Sequence, residues 1–299
     1  ICRSLYTNPD CRTSADEDLL IQPEQLEACC AGLRAFDMTT TVENADAYEI
    51  PWRKAGGPLY IELHKDLFPT ESAAYGDLNR FFGKVFDRAV EVEVQGEPVL
   101  TMNPTDHLFY LLCHGFKHFL HSGFGIRQIA DMVMLANRHD NQINWAQIAE
   151  NCRLIRCEKF AAAVFRIGEK YLGLEKYPEA WASVQADETA LLADVLRAGI
   201  YGGAEETRLH SSNITLGAVA DQKQGKQGGK GITRSLFPPA KSLRGRYPYL
   251  KKYPILLPAA WISRMASYGA KKVLSGSAAE SLKIGAERLE LLRQYDILD

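Results

Sequence analysis

Arg12-Thr13-Ser14-Ala15-Asp16-Glu17-Asp18-Leu19-Leu20-Ile21 is the stretch on which the reading of this chain turns. An apolar run entered through acids reads as a β-strand leaving a polar turn. Side chains alternate along a strand, so Asp16 and Asp18 share one face and Glu17 takes the other. Two like charges on one face repel and do nothing for stability. They are well placed to hold one or two divalent cations, which take oxygen ligands and leave room for phosphate oxygens. A third acid, Glu62, sits inside a second apolar strand-like run, Leu59-Tyr60-Ile61-Glu62-Leu63-His64. Asp16, Asp18 and Glu62 are therefore the expected metal ligands and catalytic acids, with Mg²⁺ the expected ion and Mn²⁺ an acceptable one. The bland alternative is a solvated turn whose acids cap the following structure.

Working outward, Pro23 at a first helical position opens a helix to Phe36, with Leu26, Cys29, Cys30 and Leu33 at helical spacing. Met38 to Val42 is strand-like. Tyr48 to Lys54 and Pro58 to His64 flank Ala55-Gly56-Gly57 and predict a hairpin, and Val90 to Val94 alternates as a half-exposed strand. The pattern then changes. Asn103-Pro104-Thr105-Asp106 is a helix start: a cap, a proline, and an acid in the first turn. Helical periodicity follows to about 121, then over 125–138, 144–153, 157–172 and 181–198. Residues 202–235 lose the apolar pattern and predict a flexible linker or loop, mobile around 221–231. Two more helices are expected, at about 255–274 and 277–295. The expected organisation is 1–100 as a mixed-sheet domain, 101–200 as a helical domain, 201–235 as linker and 236–299 as a C-terminal helical segment.

An acidic pair at a strand end followed by a third acid on a later strand resembles the nucleotidyltransferase superfamily. The likeness extends to Leu5-Tyr6-Thr7-Asn8-Pro9-Asp10-Cys11, to His114-Gly115-Phe116-Lys117-His118 and to Arg127-Gln128-Ile129-Ala130-Asp131. These segments, in this order, look like the family of uncharacterised bacterial nucleotidyltransferases over roughly residues 1–175. The resemblance implies an α+β fold: a nucleotidyltransferase-like mixed sheet with flanking helices, then a helical bundle, with the site in the cleft between them. It implies a metal-dependent transferase that moves a nucleoside monophosphate from a nucleoside triphosphate to an unidentified hydroxyl acceptor. Arg12 and Ser14 would bind nucleotide or substrate, as would His114, Lys117, His118, Arg127 and Asp131. The sequence departs from the family in one respect: nothing between Ile1 and Asp16 supplies the small-residue turn that holds the β- and γ-phosphates at a helix start. Either that turn lies upstream of Ile1 or it is absent. Its absence would favour the rival reading, a catalytically degenerate binding module in a biosynthetic or toxin–antitoxin system.

Other features bound the answer. The net charge of −2 argues against a surface built to coat nucleic acid. Seven cysteines without CxxC spacing suit reduced thiols. No leading segment reads as a signal peptide and no apolar run reaches the roughly 18 residues that span a bilayer, so a cytoplasmic protein is expected. His114 and His118 stand four apart on one helix, but without a further ligand nearby a zinc hydrolase is the weaker reading. The lysines of the glycine-rich stretch, Lys223, Lys226 and Lys230, lack a phosphate-loop pattern. The run Arg244 to Tyr253 is basic and aromatic; binding to nucleic acid or a membrane surface stands there against a packed segment with solvated charges.

Overall fold

The computed structural model describes all residues except 1, 15, 43–46, 122, 200–205, 226–239, 244–246 and 264–276. It is mixed α+β and divides into two compact units, Ile1–Asp106 and His107–Asp299.

The first unit is built on a four-stranded sheet in the order β1-β4-β3-β2, with β1 at Glu17–Leu20, β2 at Met38–Thr39, β3 at Glu49–Lys54 and β4 at Tyr60–His64. β1 runs parallel to β4, whereas β3 is antiparallel to both β4 and β2. The parallel pair needs a crossover between its strands, and helices α1 (Cys2–Leu5) and α2 (Leu26–Ala35) fall before and inside that segment. α2 supplies Cys30, with Leu26, Cys29 and Leu33 beside it, to an apolar cluster containing Ile21, Met38, Ile50, Trp52 and Leu63. These are the residues that alternation assigns to one face of the sheet. The β3–β4 hairpin closes as the sequence predicts, through Gly56 at φ +71°, a conformation glycine adopts without a Cβ penalty. A second hairpin pairs β5 (Val90–Val94) with β6 (Glu97–Thr101). Its two-residue turn, Gln95-Gly96, has positive φ at both positions, the geometry that matches strand twist. β6 escapes the sequence reading because Pro98 interrupts its pattern.

Between β4 and β5 the chain is held by side-chain bonds rather than by a ladder. Asn79 accepts from the Phe68 amide at 3.0 Å and donates to its carbonyl at 2.7 Å, over buried Phe68, Leu78 and Phe82. Further on, Arg88 reaches Asp106 through two nitrogens, at 2.8 and 3.1 Å, and Asn103 donates to the same carboxylate.

The second unit is helical: α3 (Pro104–His121, entered from the first unit's last residues), α4 (Ile126–His139), α5 (Trp145–Leu154), α6 (Glu158–Tyr171), α7 (Glu188–Ala198), α8 (Glu206–Lys223) and a C-terminal helix, Ser277–Gln294. Asn103 caps α3 as predicted, accepting from the amides of Thr105 and Asp106. Asn144 caps α5, and Asp187 caps α7. α7 begins later than the predicted 181 because Glu179–Trp181 forms a separate turn that buries Trp181. The core is aromatic: Phe119 stacks on Phe160 at 5.0 Å, and Phe165 on Trp181 at 5.3 Å.

The expected linker at 201–235 is corrected in its first half. Residues 206–223 are the helix α8, packed along the C-terminal helix. The close approach is made by Gly285, where a Cβ would meet Ile214 Cδ1 at 2.7 Å. The sequence signal is weak because α8 buries polar residues: Thr215 is 0% exposed and donates to the Leu120 carbonyl at 2.6 Å, and Ser212 and Asp221 are buried too. Most of the stretch expected to be mobile, and the second half of the helix expected at 255–274, lie outside the described residues.

Candidate functional site

The pairing of β1 with β4 sets the site. Asp18 is the register partner of Glu62, and Leu20 that of His64. Glu62 and His64 are two apart on β4 and so share a face. The apolar cluster takes Ile50, Trp52, Ile61 and Leu63 to the other face. One side of the sheet is thus packed, and the other carries Asp18, Glu62 and His64. Their ligand atoms all lie within 4.8 Å of one another. A cavity of about 900 Å³ on the α2 side, lined by Cys30, Arg34, Met38 and Trp52, holds none of the expected site residues.

His64 was not singled out by the sequence reading. It is 5% exposed, with Nε2 donating to Asp18 Oδ1 at 3.1 Å and standing 3.5 Å from Glu62 Oε2. Burial disfavours its charged form, but hydrogen bonds to Asp18 and Glu62 and the nearby charge of Glu49 outweigh burial and carry its pKa up to about 9. Its Nδ1 is buried with no hydrogen-bond partner among the described residues. Glu62 is shifted the opposite way. Its bond to His64 lowers it most, burial opposes this, and a hydrogen bond from Tyr60 lowers it further. Two carboxylates and a cationic imidazole therefore compensate one another's charge at the centre of the strand pair. The signal that could have found His64 is its spacing: two residues beyond Glu62, it must project on the same face.

Asp16 lies one residue ahead of β1 and is exposed; its carbonyl accepts from Ser14 Oγ at 3.0 Å. It is outside the 4.8 Å group, where His64 takes the third place. Continued by one step, the register would set Asp16 opposite Tyr60. Arg12 donates to the Thr13 carbonyl at 2.6 Å. On the same face as Glu62, the Arg53 guanidinium lies 4.6 Å from the centre of the Tyr60 ring.

The other expected site residues belong to the second unit. His114 and His118 on α3 bring their Nε2 atoms to 3.0 Å, and Tyr110 stacks on His114. Burial, followed by the charges of His114 and Lys117, pushes the His118 pKa well below its ordinary value. His118 is therefore held neutral, which disfavours it as a phosphate anchor. Lys117 is half-buried on α3, as is Arg127 on α4, whereas Asp131 is 2% exposed. Among the described residues the Asp18–Glu62–His64 set is the one group of three or more possible metal ligands. No helix of those residues is long and apolar enough to cross a membrane.

Comparison with known proteins gives one match. No curated protein and no solved structure matches at a significant level. Residues 1–173, more than half of the chain, match the model of a family described as uncharacterised nucleotidyltransferase, and these residues include the whole sheet with Asp18, Glu62 and His64. The chain belongs to that nucleotidyltransferase family.

Proposed function

We propose that this protein is a metal-dependent nucleotidyltransferase that passes a nucleoside monophosphate from a nucleoside triphosphate to a hydroxyl acceptor. The observation that carries this reading is the registered pair Asp18 and Glu62, with the His64 imidazole between them. Like charges at adjacent register positions cost stability unless something positive offsets them. His64 offsets part of the charge, and a divalent cation would offset the rest. The donor set fits one: the two carboxylates suit Mg²⁺ and Mn²⁺. Asp18 and Glu62 would hold the ion, with Asp16 beside them. When bound, the ion would neutralise triphosphate charge and polarise the transferring phosphoryl group.

The chain's own groups would do the remainder. Tyr60 fixes the Glu62 carboxylate by donating to it. Arg12 and Ser14, in the turn before β1, would hold phosphate oxygens, the arginine by a forked charged contact. Lys117 and Arg127 would add positive charge to the bound nucleotide. His118, kept neutral by burial and backed by His114, would accept the proton of the attacking hydroxyl. Asp131 would orient substrate-binding groups on α4.

The test is pyrophosphate release with each of the four common nucleoside triphosphates, in Mn²⁺ and in Mg²⁺, beside thermal stabilisation by the same mixtures. Metal-dependent stabilisation by one triphosphate with pyrophosphate release is the expected result. Stabilisation by a triphosphate without release, across a panel of sugar, alcohol and protein acceptors, would leave a binding module instead.

A further inference from the structure

Charge is distributed along this chain with unusual asymmetry. Residues 222–279 contain twelve Lys and Arg and not one Asp or Glu, although the whole chain has 35 basic and 37 acidic residues. The other residues therefore carry 23 basic against 37 acidic, a net of −14. Within the basic segment, residues 247–263 are described almost throughout, and their apolar side chains fall into two sets. One set folds inward: Leu250 and Ala260 are fully buried together with Leu243, and Tyr247, Leu257 and Trp261 pack against them. The other set faces outward. Ile255 is 86% exposed and Ile262 65%, with Tyr253 and Leu256 also exposed. Lys252 is exposed beside them, its ammonium 5.6 Å from the centre of the Tyr253 ring.

A small core does not require exposed isoleucines, and scattered surface apolar residues are commonplace. Here four lie within ten residues, around prolines, in the most basic part of the chain. Nucleic acid would use the cations and the tyrosines but gains little from branched aliphatic side chains, since base recognition by stacking needs flat rings. A bilayer surface uses all three. Aliphatic residues enter the acyl boundary, tyrosines sit at headgroup level, and lysines and arginines meet anionic headgroups. We propose that residues 247–263 dock this protein onto an anionic lipid surface, lying in the interface without spanning it. The acidic remainder of the chain would be repelled by such a surface, so the docking is confined to this segment. The inference does not rest on the transferase reading.

The experiment is flotation of the full chain with vesicles of phosphatidylcholine alone, or of phosphatidylcholine with phosphatidylglycerol. Binding to the anionic vesicles is expected, falling as salt is raised, with little binding to neutral ones. Replacing Lys251→Gln and Lys252→Gln should weaken it on the order of fivefold for each charge removed. Replacing Ile255→Ser and Ile262→Ser should weaken it by more than about tenfold, while leaving retention on heparin unchanged. Circular dichroism and an unchanged thermal unfolding midpoint check that each variant is folded. The inference is overturned if no vesicles bind, if neutral and anionic vesicles bind alike, or if the serine variants float as well as the parent. Tighter binding to a single-stranded oligonucleotide than to anionic vesicles, indifferent to the isoleucines, overturns it in favour of nucleic acid.

Discussion

His64 on the sheet and His118 in the helical unit are both mostly enclosed, yet their protonation is driven in opposite directions. Burial opposes the charge of each. At His64 two carboxylates, one on its own strand and one on the neighbour, reverse that effect. At His118 the neighbours are another imidazole and a lysine, and they reinforce it. The same contrast runs through both units. The sheet unit puts its polar chemistry on one strand face and its apolar residues on the other. The helical unit spends its interior on aromatic packing, with His118 held neutral in it. A site for charged substrate needs the first kind of environment, and a neutral proton acceptor needs the second.

The largest expected effect comes from breaking the carboxylate side of the comparison. Asp18→Asn keeps the shape of the side chain but removes half of the negative charge facing His64. Turnover should fall by on the order of a thousandfold or more, as when a charge-stabilising element is lost from a transferase centre. Without metal, the fold should be retained, because the side chain is partly exposed. Pyrophosphate release and far-ultraviolet circular dichroism measure the two halves. Turnover within tenfold of the parent would remove Asp18 from the site.

The opposite perturbation is made in the aromatic core. Phe160 is fully buried and touches Phe116, Phe119 and Phe124 through its ring. Phe160→Ala should cost about 3–5 kcal/mol, from lost transfer energy and the cavity left behind. Urea unfolding measures it. A cost below about 1 kcal/mol would mean that the core relaxes around the gap and is not the rigid, apolar environment that holds His118 neutral.

What was legible in the sequence follows from how local each signal is. The strand acids could be read because alternation is a two-residue rule, and the α3 start because its cap, proline and acid are contiguous. The Asp18–Glu62 pairing needed a register between strands forty residues apart, which no local pattern encodes; the apolar run around Glu62 offered it as a third acid without giving that register. His64 shares the Glu62 face by the same two-residue rule, but its bond to Asp18 depends on the register between the strands. Asp16 appeared equivalent to Asp18 by spacing, but the strand starts after it. α8 was hidden because its buried face mixes Ile214 and Val219 with Ser212, Thr215 and Asp221, the threonine donating to the distant Leu120 carbonyl. Hydrophobic periodicity cannot register such a face.

A third effect is a pH dependence of stability, and its sign distinguishes the two histidines. The folded His64 pKa, about 9, lies above the ordinary value of 6.5. The bridge therefore contributes fully below about pH 6.5 and is lost as pH rises through about 9. In metal-free buffer with chelator, the unfolding free energy should fall by about 1–3 kcal/mol across that window, and His64→Gln should abolish the decline. His118, shifted downward, has the reverse sign: its folded form resists protonation, so it removes stability as pH falls below the ordinary value. Histidine ring titration by nuclear magnetic resonance assigns the two. A His64 that titrates below 6.5 would sink the claim that the carboxylates outweigh burial.

The smallest effect tests how the strand face holds its acid in place. Tyr60 donates to Glu62 and receives a bond from Arg53, whose guanidinium lies over its ring. The phenol thus links an exposed cation to a carboxylate of the site. Tyr60→Phe removes the hydroxyl and keeps the ring, so the Arg53 contact and the strand packing survive while Glu62 loses one donor. A hydrogen bond to a charged partner contributes about 1.5–3 kcal/mol when buried, and less here, where the ring is only half-covered. The expected loss is about 1 kcal/mol in metal affinity, roughly fivefold, with global stability almost unchanged. Mn²⁺ titration followed by water-proton relaxation reads that affinity directly. Because the carboxylate is freed rather than removed, the loss should appear in Mn²⁺ affinity and in turnover together, and high Mn²⁺ should restore both. If affinity is unchanged and turnover still falls, Tyr60 acts on the substrate and not through Glu62.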